Sequence, residues 1–265
     1  MNPTTNIAVR AARKAGSIMM RYFNRIETLT IAEKQSNDYV SEVDRLAEEA
    51  IIETVRRAYP HHAILAEESG SHPGNEYQWI IDPLDGTTNY LHGLPQFSVS
   101  IALQHKDELI SAAVYDPVRD EMFTASRGNG ALLNDRRLRV SGQRSLKGAL
   151  IGTGIPFRDQ RYLDNYLDML RAMVKDTAGI RRPGSAALDF AWVAAGRMDG
   201  FWELGLSAWD FAAGNLIVQE AGGLVSDIRG GSRQLESGNV IVGNLRVHRE
   251  MVERLAPYVP EAMRF

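Results

Sequence analysis

W-I-I-D-P-L-D-G-T-T-N, Trp79 to Asn89, decides how the rest of the chain is read. Trp79, Ile80 and Ile81 have the apolar character of a buried strand end. Asp82 and Asp85 follow, three residues apart, with Pro83 and Leu84 between them. Pro83 has a fixed φ and no N–H, so the chain is expected to leave the sheet there. Gly86 permits a tight turn. Thr87, Thr88 and Asn89 have the composition of a helix start, where backbone N–H groups are unpaired. The corner therefore offers hard oxygen ligands for a cation and backbone donors for an anion, and a metal-held phosphate fits both. Alone, D-P-x-D-G is also an ordinary turn pair.

The bulk properties narrow the class. A chain of 265 residues can form one large domain, or two lobes sharing a site. The expected division is one domain over 1–265, with a metal-motif lobe to about residue 145 and a second lobe from about residue 146. At 44% hydrophobic and 24% charged residues, the chain reads as soluble and globular. A net charge of −3 supplies no basic field for nucleic acid, and no nucleic-acid motif is present. Cysteine is absent, which excludes disulfides and thiolate nucleophiles and suits a reducing cytoplasm. No run reaches the roughly 18 apolar residues of a membrane span, and no signal peptide is evident.

Along the chain, residues 5–23 carry a helical apolar period, and Glu33 to Tyr39 reads as a polar loop. A second helix is predicted from near Ser41, with Asp44 in its first turn. Ala63 to Ala66 reads as a short buried strand ending at Glu67, and Ser71 to Gln78 as a surface loop. Three strands are predicted over 97–103, 109–115 and 121–125. Arg127 to Ala131 is a glycine-rich turn without the spacing of a phosphate loop. Arg136, Arg137 and Arg139 suggest a strand with a charged outer face. Ala149 to Gly152 reads as the strand that opens the second lobe, followed by a helix over 162–174. Gly184, Ser185 and Ala186 begin another helix just after Arg181, a place where a hydroxyl or phosphate could be held. A strand ends at Glu203, and Asp210 reads as the N-cap of a helix that Gly222-Gly223 stops. Val240 to Val242 forms a final strand. No G-x-G-x-x-G follows a strand, which argues against a dinucleotide enzyme. Each acidic residue, taken singly, has an ordinary turn or cap reading.

Together they do not. Glu67-Glu68-Ser69, Asp82 to Asn89 and Trp209 to Gly214, in this order, resemble the motifs of the inositol monophosphatase family of Mg²⁺-dependent, lithium-sensitive phosphomonoesterases. The resemblance extends over nearly the whole chain. It implies an α+β fold, a layered α-β-α-β-α sandwich, and a homodimer. It also implies that Glu67, Asp82, Asp85, Asp210 and the Leu84 carbonyl surround two or three Mg²⁺ ions. Thr87 would hydrogen-bond the attacking water beside Glu67, and Asp44 would position Thr87. Leu84, Asp85, Gly86, Thr87 and Asp210 would also contact the substrate. Arg181, Gly184, Ser185, Ala186 and Glu203 match the polyol-binding segments. Two departures stand out: Ala66 precedes Glu67 where many members have glycine, and Lys34 to Asp38 aligns imperfectly with the family's loop lysine. The implied reaction is hydrolysis of inositol 1-phosphate or a related polyol monophosphate, although relatives act on fructose 1,6-bisphosphate or adenosine bisphosphates. The bacterial branch most similar to this chain is also associated with transcription antitermination on ribosomal RNA operons. The second implied role is therefore docking to the RNA polymerase–Nus factor machinery, by way of an arginine-bearing surface such as Arg181-Arg182 or Arg136-Arg137.

Overall fold

The computed structural model describes residues 2–23, 25, 31–35, 38–157 and 160–263, with backbone alone for 31–35 and 38–41. The chain opens with α1 (Pro3–Phe23), whose buried face is Ala8, Ala11, Ala12, Ala15 and Met19. Four alanines on one face let α1 pack closely on α2 (Glu42–Ala58). Between the two helices lie β1 (Ile31–Gln35) and β2 (Asp38–Ser41), an antiparallel hairpin. The loop expected over Glu33 to Tyr39 is thus mostly strand. The segment is polar and carries no apolar alternation, the signal by which a strand is read from sequence. The backbone of Lys34 lies in β1, and its side chain is outside the described residues.

The large sheet is built from β3 (Ala63–Ala66), β4 (Gly70–His72), β5 (Tyr77–Asp85), β6 (Ser98–His105), β7 (Glu108–Asp116), β8 (Glu121–Ser126), β9 (Gly130–Leu133) and β10 (Arg136–Arg137). A short helix, α3 (Thr87–Leu91), interrupts it after β5. The strand order is β10-β9-β8-β7-β6-β5-β3-β4, antiparallel except where β3 runs parallel to β5. Part of the segment expected to be a loop after Ser71 is strand, in β4 and at the start of β5. Pro83 does not end β5. The pairing with β6 shifts between Asp82 and Asp85 and resumes at Asp85↔Ser98. An irregularity of this kind absorbs a residue that cannot donate to the ladder.

The second sheet follows, made from β11 (Leu150–Thr153), β12 (Gly179–Arg181), β13 (Gly200–Glu203), β14 (Leu224–Ser226) and β15 (Val240–Gly243), in the order β12-β11-β13-β15-β14. Its helices are α4 (Leu163–Val174), α5 (Ala186–Ala194), α6 (Ala208–Glu220), α7 (Gln234–Ser237) and α8 (Leu245–Leu255). α5 and α6 pack on each other, on β5 to β8 and on strands of the second sheet. Helices caught between two sheets must be apolar nearly all round, and α6 buries Phe211, Ala212, Ala213, Leu216, Ile217 and Val218. α1 and α2 cover the outer face of the large sheet, and α4 and α8 that of the small one. The result is the α-β-α-β-α sandwich expected from the resemblance, with one apolar core in each of the three helical layers.

Candidate active site

The topology brings the three motif segments to one place. Because β3 runs parallel to β5 with Ala66 opposite Ile81, the next residue, Glu67, comes to lie beside Asp82. The Glu67 amide donates to the Ile81 carbonyl at 3.1 Å, which fixes this end of the strand. Across the other edge of β5, Asp82 faces Ser100, whose hydroxyl donates to the Trp209 carbonyl at 3.1 Å. That bond docks the start of α6, and Asp210 with it, against β6 at the residue paired with Asp82. Glu67, Asp82, Leu84, Asp85, Gly86, Thr87, Gly184, Ser185, Ala186, Glu203 and Asp210 all line one cavity of about 670 Å³.

Two predicted residues stand elsewhere. Asp44 lies behind the cavity, fully buried on the inner face of α2, where its Oδ1 is 3.2 Å from the Thr87 hydroxyl. That hydroxyl also lies 3.0 Å from the Leu84 carbonyl, and its single proton serves one of the two acceptors at a time. Arg181 is exposed at the end of β12, with its guanidinium on its neighbour's carbonyl, and it is Arg182 that lines the cavity. Arg181 is the last residue of β12, and the chain leaves the sheet at Arg182.

Local sequence explains the rest of the geometry. Gly86 sits at φ 94°, and a Cβ there would come within 3.0 Å of the Gln96 carbonyl and 3.2 Å of the Gly184 carbonyl. A side chain at this corner would push the two halves of the site apart. Asn89 bolts the same halves together, its amide donating at 2.8 Å to both the Gln96 and Pro183 carbonyls. The N-cap of α6 is Ser207, not Asp210. Asp210 is the third residue of the helix and accepts from the Ser207 amide at 2.7 Å, forming a capping box. Glu48 went unread in the sequence because it sits at a core-facing position of α2, one turn after Asp44. Only 3% exposed, it accepts from the amides of Glu68 (2.8 Å) and Ser69 (2.9 Å) and holds the turn that follows Glu67.

The carboxylates strain against one another. Burial, then the charges of Glu67, Asp85 and Asp210, push Asp82 well above the ordinary carboxylate range. Burial, then Asp85 and Glu67, do the same to Asp210, although its side chain is partly open to the cavity. Asp85 is pushed up by burial, to about 6, against hydrogen bonds from Ser185, Ala187, Ala186 and Ser98 that pull the other way. Four carboxylates and a carbonyl form an all-oxygen donor set, the set preferred by Mg²⁺. Among the described residues no three Asp, Glu or His side chains are already drawn in to metal-ligand distance. Asp82 and Asp85 instead accept hydrogen bonds from the protein's own donors, the Leu84 and Ala187 amides among them. The residues fit a divalent cation by their chemistry, and their mutual repulsion is what a cation would relieve.

A sign follows for stability. In metal-free protein these groups bind protons more tightly folded than unfolded. Their contribution therefore grows as pH falls through the raised values, about 6 for Asp85, and is complete below the ordinary value of 3.8. In chelator, lowering pH from about 8 to about 5 is expected to raise the melting temperature. His62 and His248, whose pKa values burial lowers, work the other way in this window. The effect is therefore read against Asp82→Asn, and an equal pH response of the two proteins in calorimetry would contradict the assignment.

Comparison with known proteins agrees with the geometry. The profile of the inositol monophosphatase family matches residues 1–264. The chain is 55% identical over 270 residues to the Nus factor SuhB of Pseudomonas aeruginosa, with all of both chains covered. It superposes on the extragenic suppressor protein suhB of Bartonella henselae with a TM-score of 0.94 at 44% identity, covering 96% of this chain and 98% of that one. An inositol monophosphatase from Anabaena (Nostoc) superposes with a TM-score of 0.86 at 37% identity, covering 98% and 97%. Sequence motifs, layer order and the shared cavity thus lead to one assignment: this chain belongs to the inositol monophosphatase family.

Proposed function

We propose that the protein hydrolyses inositol 1-phosphate, or a related polyol monophosphate, with Mg²⁺ held by Glu67, Asp82, Asp85, Asp210 and the Leu84 carbonyl. The observation that carries this reading is the single cavity into which three segments, separated in sequence, bring those oxygen donors. Two or three bound Mg²⁺ ions would neutralise phosphate charge and lower the pKa of the attacking water. The protein's own part is positioning, which phosphoryl transfer chiefly requires. Thr87, with Asp44 behind it, orients the water through its hydroxyl. The wall of Gly184, Ser185, Ala186 and Glu203 receives the polyol. Among the described residues that line the cavity there is neither cysteine nor histidine. Colorimetric phosphate release from inositol 1-phosphate, with and without Mg²⁺, tests the reading. Mg²⁺ at about 100 times its Kd is also expected to stabilise the fold by ~2.7 kcal/mol. No turnover and no thermal shift at saturating Mg²⁺ would defeat it. Inhibition by Li⁺ and a homodimer in sedimentation belong to the same reading.

A second role rests on the Pseudomonas aeruginosa relative, which is a Nus factor. In this reading the protein also docks to the transcription antitermination machinery, and the docking does not need turnover. An Asp82→Asn gene that restores growth to a deletion strain would separate the two roles. Failure to restore growth, with the protein folded and abundant, would join them. Among the described residues no helix is long and apolar enough to cross a membrane.

A further inference from the structure

One carboxylate in the cavity has no part in the chemistry above. Asp189 lies in α5 between the buried Leu188 and Phe190 and is itself only 2% exposed. One turn after Ser185 and Ala186, it shares their face of the helix and lines the cavity with them. Its Oδ1 is buried without a hydrogen-bond partner among the described residues. Buried acceptors are nearly always satisfied, so an orphan in a cavity wall points to a partner that arrives from outside.

The surroundings narrow what that partner is. Burial, then the like charges of Glu203 and Asp85, push Asp189 well above the ordinary carboxylate range, against a smaller opposing influence of Arg182. What the Asp189 Oδ1 lacks is a hydrogen-bond donor. Glu203 lies in the same wall, its carboxylate so close over Gly154 that a Cβ there would collide with Oε1. A carboxyl offers two oxygens, and an alcohol O–H both donates and accepts, so the two groups match. Two neighbouring carboxyls match two neighbouring hydroxyls.

We propose that Asp189 is a specificity-determining residue: with Glu203 it hydrogen-bonds adjacent hydroxyls of a cyclic polyol, favouring polyol monophosphates over phosphate esters that lack hydroxyls. The proposal rests on the phosphatase reading and deepens it. The test compares kcat/KM for inositol 1-phosphate with that for para-nitrophenyl phosphate in wild type, Asp189→Leu and Asp189→Asn. Leucine fills the space without a polar atom. It is expected to lower the polyol-to-aryl ratio about tenfold, equivalent to about 1.4 kcal/mol, mostly through KM for the polyol ester. Asparagine keeps an acceptor oxygen in place and is expected to recover at least half of the lost ratio. An unchanged ratio in Asp189→Leu, equal losses on both esters, or an asparagine variant no better than leucine would each overturn the proposal. If Asp189→Leu does not fold, Asp189→Ala takes its place. Should wild type hydrolyse neither ester, the phosphatase reading fails separately. The proposal is then decided by saturation-transfer NMR with myo-inositol. Contact in wild type that Asp189→Leu loses supports it, and contact absent from wild type or equal in both proteins overturns it.

Discussion

Replacing Asp82 with asparagine is expected to remove metal-dependent phosphate release, by about a thousandfold or more, while raising the melting temperature of the metal-free protein. The two effects have one cause. Asp82 is 1% exposed, deep among Glu67, Asp85 and Asp210, each of which pushes against its charge. Without a cation, that carboxylate is a buried like-charge neighbour, and neutralising it relieves repulsion. With a cation, it is one of the oxygens that hold it, and an amide of the same shape is a poorer ligand for a hard ion. Thermal scans in chelator and in Mg²⁺ should therefore move in opposite directions relative to wild type, with the variant gaining less from Mg²⁺. A variant that loses activity with unchanged stability in both conditions would remove the electrostatic account.

Replacing Asp85 with alanine is expected to lose activity too, but with the opposite sign for stability: a loss of about 2–4 kcal/mol in denaturant unfolding. Asp85 is only three residues from Asp82, yet its carboxylate has a structural task. It accepts from the Ser185 hydroxyl and from the Ala187 amide at 2.8 Å, with longer bonds from the Ala186 amide (3.3 Å) and the Ser98 hydroxyl (3.4 Å). It therefore caps α5 from another segment of the chain. Removing it leaves the first N–H groups of a buried helix without an acceptor. If Asp85→Ala were as stable as wild type in chelator, the cap would contribute nothing and the repulsive cluster would outweigh it.

Where residues advertise their environment locally, the sequence was legible. Trp79 to Asn89 carries its strand, its glycine corner and its carboxylates within eleven residues, and Gly222-Gly223 stops α6 where a helix stop was read. Other features depend on partners far along the chain. The β1–β2 hairpin is short and its sequence is mostly polar, with no apolar alternation to read. Pro83 signalled an exit from the sheet, but β6 continues to pair past it at Ser98. The end of β12, which separates Arg181 in the strand from Arg182 just past it, has no mark in the sequence. Asp210 and Ser207 are both good capping residues, and only the helix boundary tells them apart. Glu48 and Asp189 did leave a trace: each is a carboxylate on a face that otherwise reads as core. Such a mismatch between residue type and period marks a group held for a buried partner.

The middle layer has a dynamic consequence. α5 and α6 share one apolar core with Ile80 and Ala102 of the large sheet and with Phe201, Val240 and Val242 of the small one. Neither sheet can slide or swing away without uncovering that core, so the two halves cannot part like jaws. Opening of the cavity is left to its rim, and the halves should unfold as one cooperative unit. In hydrogen exchange, the amides of α5 and α6 should be among the last to pick up deuterium, at the rate of global unfolding. Brief proteolysis should nick the periphery without releasing a stable half-molecule.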